Sequence, residues 1–276
     1  WGNASLQPTG QTVTSDNVSD STVHTRGTSV KIQDMQTQYL QSDYSGNHQW
    51  FGLNHTILAG IDAAHEKFHN YGASLPSGVS LTKSNTTVGT PNDGASVDES
   101  QRIVTMNRKF DSKAVGVYAQ DTLQLADDWK VVGGLRWDLL KGNYTNLAAN
   151  TNATNPCNVT PNAEIGRTDS LLSKRLGVLY QPSLRQSYHL SYGTSFNTSG
   201  DTYQYDAGNV KVDPESSRNI ELGAKLDSSD GRFTTRLALF HSTKYNERNR
   251  DSESVNACNY VLSGKRHAAG FEIDLA

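Results

Sequence analysis

Alternating apolar–polar segments fill this chain, and the connections between them obey one rule: short, then long, then short again. The clearest segment runs from Trp129 to Leu139. There Trp129, Val131, Gly133, Leu135, Trp137 and Leu139 share one face of an extended chain, and Lys130, Val132, Gly134, Arg136 and Asp138 the other. A second sets Tyr188, Leu190, Tyr192, Thr194 and Phe196 against His189, Ser191, Ser195 and Asn197. A third sets Ile220, Leu222, Ala224 and Leu226 against Asn219, Glu221, Lys225 and Asp227, and the chain closes on Phe271, Ile273 and Leu275. The pattern predicts nine strands, at 28–44, 48–68, 109–125, 129–144, 170–182, 187–197, 216–227, 232–246 and 259–276. Short connections fall near 45–47, 126–128, 183–186 and 228–231, long ones near 69–108, 145–169, 198–215 and 247–258. A soluble sandwich has no reason to gather its long loops at one end. An antiparallel barrel in an outer membrane has: its turns are short on one side of the bilayer and its loops long on the other.

Hairpin registers agree. Across 126–128, Leu125, Leu123 and Val117 are expected to face Trp129, Val131 and Trp137. Across 183–186, Tyr180, Val178 and Leu176 face Tyr188, Leu190 and Tyr192; across 228–231, Leu226, Leu222 and Ile220 face Phe233, Leu237 and Leu239. A one-residue slip would destroy each match. Asp121 falls on the apolar face, where a bulge or a position at the membrane interface would accommodate it. Low hydrophobicity, 35% of residues, does not oppose membrane residence, because only alternate barrel residues meet lipid. Trp129, Tyr180 and Tyr188 suit an aromatic girdle. An odd number of strands, ending at Ala276 on an unpaired edge, reads as part of a larger sheet, as does an opening at Trp1 without a leader pattern.

Composition excludes other classes. A net charge of −3 argues against nucleic-acid binding by bulk charge, and two cysteines cannot build a disulfide scaffold. No segment approaches the roughly 18 apolar residues of a membrane helix. Ser, Thr and Asn together make 76 residues, so the eight N-x-S/T sequons are read as composition. Cys157 and Cys258 both fall in long connections, where a disulfide and two free thiols are equally compatible with the sequence.

The sharpest motif match is read as a decoy. His65-Glu66-Lys67-Phe68-His69 fits H-E-x-x-H, the zinc-binding helical pattern of metallopeptidases. Yet the third ligand position holds Leu75, and the residues before it alternate as a strand does. In a strand the two imidazoles stand about 13 Å apart, too far to share one ion. No nucleophile elbow or P-loop occurs. Ser191 and His189 share a face and are read as polar wall residues rather than a hydrolytic pair.

Six stretches in order resemble TonB-dependent outer-membrane siderophore receptors: HTILAGIDAAHE (55–66), VGVYAQDTLQLADDWKVVGGLRWD (115–138), SKRLGVLYQPSLRQSYHLSYGTSFNTSGDTY (173–203), DPESSRNIELGAKLD (213–227), TRLALFHSTKYNERNRD (235–251) and YVLSGKRHAAGFEIDLA (260–276). They are most similar to the middle barrel strands of the catecholate-type receptors. The resemblance implies an all-β fold, about nine antiparallel strands of a 22-stranded transmembrane barrel. Residues 1–27 would be an extracellular loop or the end of a preceding strand, and 28–276 a partial barrel, with plug and C-terminal strands absent. It implies no enzyme and no cofactor. The partners would be a bilayer, a ferric siderophore as cargo, and the TonB complex through N-terminal sequence not in this chain. The siderophore fills the iron's coordination shell, so recognition would need aromatic faces and cations for an anionic catecholate complex. The candidates are Tyr203, Tyr205, Arg248 and Arg250, with His69 and Tyr71 in the 69–108 connection. Glu221 and Arg236, expected as diagonal neighbours, are read as wall pairs. Alternatives are TonB-dependent uptake of another chelate or a glycan, and a soluble β-sandwich adhesin.

Overall fold

The computed structural model describes residues 5–6, 18–27, 30–147, 162–198, 212–250, 260–262 and 264–276. Nine strands form one sheet: β1 (Ile32–Trp50), β2 (Leu53–Ser74), β3 (Ile103–Ala126), β4 (Trp129–Asn146), β5 (Glu164–Ser183), β6 (Gln186–Asn197), β7 (Glu215–Asp227), β8 (Thr234–Tyr245) and β9 (Lys265–Leu275). Each pairs with its neighbours in the chain, so the spatial order is the sequence order and the sheet is an antiparallel meander. The predicted punctuation holds. Two-residue turns at 51–52, 127–128 and 184–185 and a six-residue turn at 228–233 alternate with connections 75–102, 147–163, 198–214 and 246–264. Ser5–Leu6 and Val23–Thr25, both before β1, make a small sheet with Thr86–Thr87 of the first long connection, and Arg248–Arg250 pairs with Tyr260–Leu262 within the last.

Two expectations are corrected. The first hairpin turns at Phe51-Gly52, not at 45–47. Both residues are left-handed (φ 54° and 78°), which gives the two-residue turn whose twist matches the flanking strands. Ser45-Gly46-Asn47 has turn composition, but Gly46 lies inside β1, where the Tyr44 ring passes over it to reach His48 Nε2 at 2.8 Å. The glycine serves a close approach rather than a reversal. The register across β7 and β8 is two residues from the expected one: Leu222 faces Leu239, Ala224 faces Leu237 and Ile220 faces His241. The cause is the longer turn. Ser228 N–H donates to the Phe233 carbonyl, and Phe233 N–H to Ser228 Oγ, so Phe233 belongs to the turn and pairing starts at Asp227–Thr234. A shift of two preserves which residues share a face. The β5–β6 register is the expected one, with Tyr180, Val178 and Leu176 opposite Tyr188, Leu190 and Tyr192.

The sheet has an apolar and a polar face, and the apolar face is uncovered. Leu135, Leu222 and Phe271 expose 56%, 52% and 73% of their surface. Only Phe68, Phe110 and Tyr144 are buried large hydrophobic residues among those described; with Ile165 they form a small cluster on the polar face. Paired residues build apolar rows across six strands, as in Val131–Val178–Leu190–Leu222–Leu239–Phe271. Cross-strand aromatics mark the row nearest the short turns: Trp129 stacks on Tyr180 (4.5 Å between centroids) and Tyr180 on Tyr188 (6.1 Å). No second sheet packs on this face among the described residues, so the sandwich alternative finds no opposing layer. Two compact units are distinguished, Trp1–Asp34 with His69–Arg108, and Met35–Phe68 with Lys109–Ala276.

Candidate functional site

The chemistry of the second unit lies on its polar face. Arg136 on β4 is its best-organised group. Its guanidinium donates to both carboxylate oxygens of Asp62 (2.7 and 3.0 Å) and, through Nε and Nη2, to Asp138 (2.7–3.0 Å). It lies 5.3 Å from the centroid of the Tyr118 ring. Asp62 is on β2, and Gly116 on the intervening β3 makes the reach fit: a methyl group there would run into the guanidinium. Tyr118 donates to Asp43, Gln41 bridges Asp43 and Tyr118, and Tyr39 donates to Gln41 at 2.7 Å. The resulting groove is lined by Tyr39, Gln41, Asp62, Tyr118, Arg136 and Arg175. Nearer the long connections, Ser195 bonds Ser217, Ser242 donates to Asn219 at 2.6 Å, and Lys244 pairs with Glu215 at 2.8 Å. Such a wall offers hydroxyls, amides and paired charges to a hydrated solute.

The sequence candidates are not brought together into one site. Tyr203 and Tyr205 lie outside the described residues, as do Cys157 and Cys258. Arg248 and Arg250 begin and end a three-residue strand opposite Leu262 and Tyr260. His69 and Tyr71 belong to β2 in the first unit. Tyr71 donates its hydroxyl to Asp34 at 2.8 Å, and this bond to a carboxylate raises the phenol's pKa above its ordinary value. Its hydroxyl is already engaged, which weakens it as a ligand group. The same unit holds a clasp that sequence reading missed: Arg26 binds Asp93 through both guanidinium ends (2.6 and 2.8 Å) and the Ser84 carbonyl. Arg26, helped by the Ala95 N–H, lowers the Asp93 pKa to about 2.

Other readings find their places. His65-Glu66-Lys67-Phe68-His69 is strand, not helix, and His65 Nε2 pairs with Asp111 Oδ2 at 2.8 Å. His189 pairs with Glu221 at 3.0 Å rather than with Ser191. Glu221 and Arg236 do form wall pairs, but not with each other: Arg236 bonds Asp274 at 3.2 Å on β9. Asp121, on the apolar face, bonds His55 Nδ1 at 2.7 Å.

A family model described as TonB dependent receptor-like, beta-barrel matches residues 2–276. The chain belongs to this family. Among curated relatives, the catecholate siderophore receptor Fiu of Escherichia coli K12 is 25% identical over 279 residues, which cover 92% of this chain and 34% of Fiu. The probable TonB-dependent receptor BfrD of Bordetella pertussis is 28% identical over 173 residues, 61% of this chain and 22% of BfrD. This receptor barrel chain therefore spans about a fifth to a third of the relatives it matches. Solved structures share the fold. The closed form of the ferric-catecholate import receptor Fiu superposes with a TM-score of 0.72 at 20% identity, over 99% of this chain and 40% of that one. The siderophore receptor PiuA of Acinetobacter baumannii gives 0.69 at 20%, over 92% and 37%. TonB-dependent receptors are outer-membrane β-barrel proteins, and the family is one of receptors and transporters.

Proposed function

We propose that the chain is the central barrel portion of an outer-membrane receptor that takes up a ferric siderophore of catecholate type, energised by TonB. One observation carries the reading. A nine-stranded meander leaves its apolar face bare and keeps the Lys and Arg ion pairs of its strands on the other, in a chain whose relative Fiu, matched over 92% of this chain, is named for catecholate siderophores. The apolar face meets hydrocarbon, and closure with further strands pairs the backbone groups of both sheet edges. The polar face lines the conduit and the long connections receive the ligand. Tyr203, Tyr205, Arg248 and Arg250, in or beside those connections, supply aromatic faces and cations, while Tyr71, held by Asp34, contributes less.

The test is uptake of radio-iron as a defined ferric catecholate by iron-limited cells carrying the full receptor. Uptake that requires both the receptor and TonB is expected; uptake indifferent to either removes the reading. Tyr203→Ala with Arg248→Ala is expected to weaken uptake about tenfold at unchanged surface amount, the worth of a well-desolvated cation–aromatic contact. Unchanged uptake removes these residues from the site.

A further inference from the structure

The apolar face carries a second, charged message. Follow it on each strand away from the short turns, and the apolar run ends at a basic or imidazole side chain on six of the nine strands: His65 on β2, Lys113 on β3, Lys141 on β4, Arg218 on β7, His241 on β8 and His267 on β9. On β5, Leu172 lies beyond Lys174. No run ends at a carboxylate. On the polar face, cations are answered: Arg136, Arg167, Lys225, Arg236, Lys244 and Arg266 each pair with Asp or Glu. On the apolar face, Lys174, Arg218 and Lys265 have no carboxylate partner among the described residues. Instead two of them converge on one ring. The Arg218 guanidinium carbon lies 5.4 Å, and Lys265 Nζ 5.3 Å, from the Tyr245 centroid. His267 stacks on His241 at 6.0 Å in the adjoining rows. Two like charges held at one aromatic ring, neither paired with a carboxylate among the described residues, are an arrangement that an external anion completes.

From this the geometry points to a lipid-phosphate site: Arg218, Lys265 and Tyr245 bind the phosphorylated head groups of lipid in the leaflet on the long-connection side. The inference rests on the reading that the apolar face lies in a bilayer. The occupant follows from continuity and charge. The cluster adjoins the edge of the apolar rows, where acyl chains give way to head groups, and it is cationic where those head groups carry phosphate. Tyr245 suits the same depth, with its ring toward the chains and its hydroxyl toward water.

The test uses the full receptor in dodecyl maltoside, mixed with micelles of a diphosphorylated glucosamine glycolipid (lipid A), its dephosphorylated form, or inorganic phosphate. Retained lipid is counted by native mass spectrometry. The native receptor is expected to retain the phosphorylated glycolipid and release the dephosphorylated one. R218Q/K265Q is expected to bind it about thirtyfold more weakly, since each basic side chain near an anionic surface contributes about a fivefold step. The charge-keeping R218K/K265R should bind like the native protein, which separates lost charge from lost folding. Equal retention by the Gln variant overturns the proposal, and so does displacement by inorganic phosphate at equal concentration, which marks a simple anion site. The native receptor's recovery from outer-membrane fractions tests the underlying reading separately. Absence from the membrane defeats that reading and this proposal with it. Presence there without retained phosphorylated glycolipid defeats this proposal alone.

Discussion

Arg136 shows how a single side chain can organise a wall. It answers two carboxylates at once, Asp62 two strands away and Asp138 on its own strand, through a gap that Gly116 leaves open. Arg136→Met would leave both carboxylates unanswered in partly buried positions. The expected cost is about 2 kcal/mol, between the value of an exposed pair and that of a buried one. It is read as a lower urea midpoint of the refolded receptor, with Arg136→Lys recovering part of it. Gly116→Ala should displace the guanidinium and shift the midpoint the same way. Asp93 sets the acid response of the other unit. Its folded pKa, about 2, lies below the roughly 3.9 of an unfolded Asp, so its contribution is complete above about pH 4 and is lost as pH falls toward 2. Amide exchange at Ala95, whose N–H donates to Asp93, should accelerate across that window at the native position, and Asp93→Asn should erase the step. None of these partners can be read from sequence. The parity of Asp62, Arg136 and Asp138 puts them on polar faces, but that Arg136 reaches across a whole strand to Asp62 depends on the space over Gly116, which no local pattern reveals.

At the scale of strands and turns, periodicity fixes faces better than positions. Trp129–Leu139 could be assigned to β4 because its alternation is unbroken and its turn is short. The β5–β6 register followed from matching apolar residues across 183–186, and an irregularity between Tyr180 and Ser183 reconciles that match with the two-residue turn. The β7–β8 hairpin slipped by two because side-chain bonds of Ser228 and Asp230 stabilise a longer turn that leaves the apolar match intact. The β1–β2 turn was misplaced because Gly46 marks a close approach and Phe51 is no turn residue by composition. That misfit is testable. Phe51 holds a left-handed conformation at φ 54°, which costs a residue of this kind about 1–2 kcal/mol. Phe51→Asn should therefore stabilise the hairpin by up to about 1 kcal/mol, and Gly52→Val should destabilise it by a similar amount or more. Thermal melts of both variants check the signs: a destabilising Asn or a neutral Val would refute the assigned turn.

Across the second unit, the apolar region does not follow the register rows. Along the row Gly133–Leu176–Tyr192–Ile220–His241–Ala269, apolar residues continue on β4 through Leu135, Trp137 and Leu139, whereas on β7 Ile220 is the last and on β8 the row already holds His241. The apolar region thus runs obliquely to the hydrogen-bonded rows. A bilayer around tilted strands requires this. At a tilt of about 40° and a strand spacing of about 4.8 Å, a plane of constant depth shifts by about 4 Å, just over one residue, with each strand crossed. A layer of packed protein imposes no such drift. The drift separates two residues that pairing alone makes equivalent. Leu176 sits centrally in the run on β5, and His241 at the edge of the run on β8, although one row contains both. Leu176→Arg should cost about 2–4 kcal/mol, the value for arginine at mid-bilayer, and His241→Arg about 0–1 kcal/mol, the value near the interface. Unfolding of the receptor in phospholipid vesicles measures both. Equal costs would mean that depth follows the rows, and the strands could not then cross the bilayer at the tilt a barrel demands.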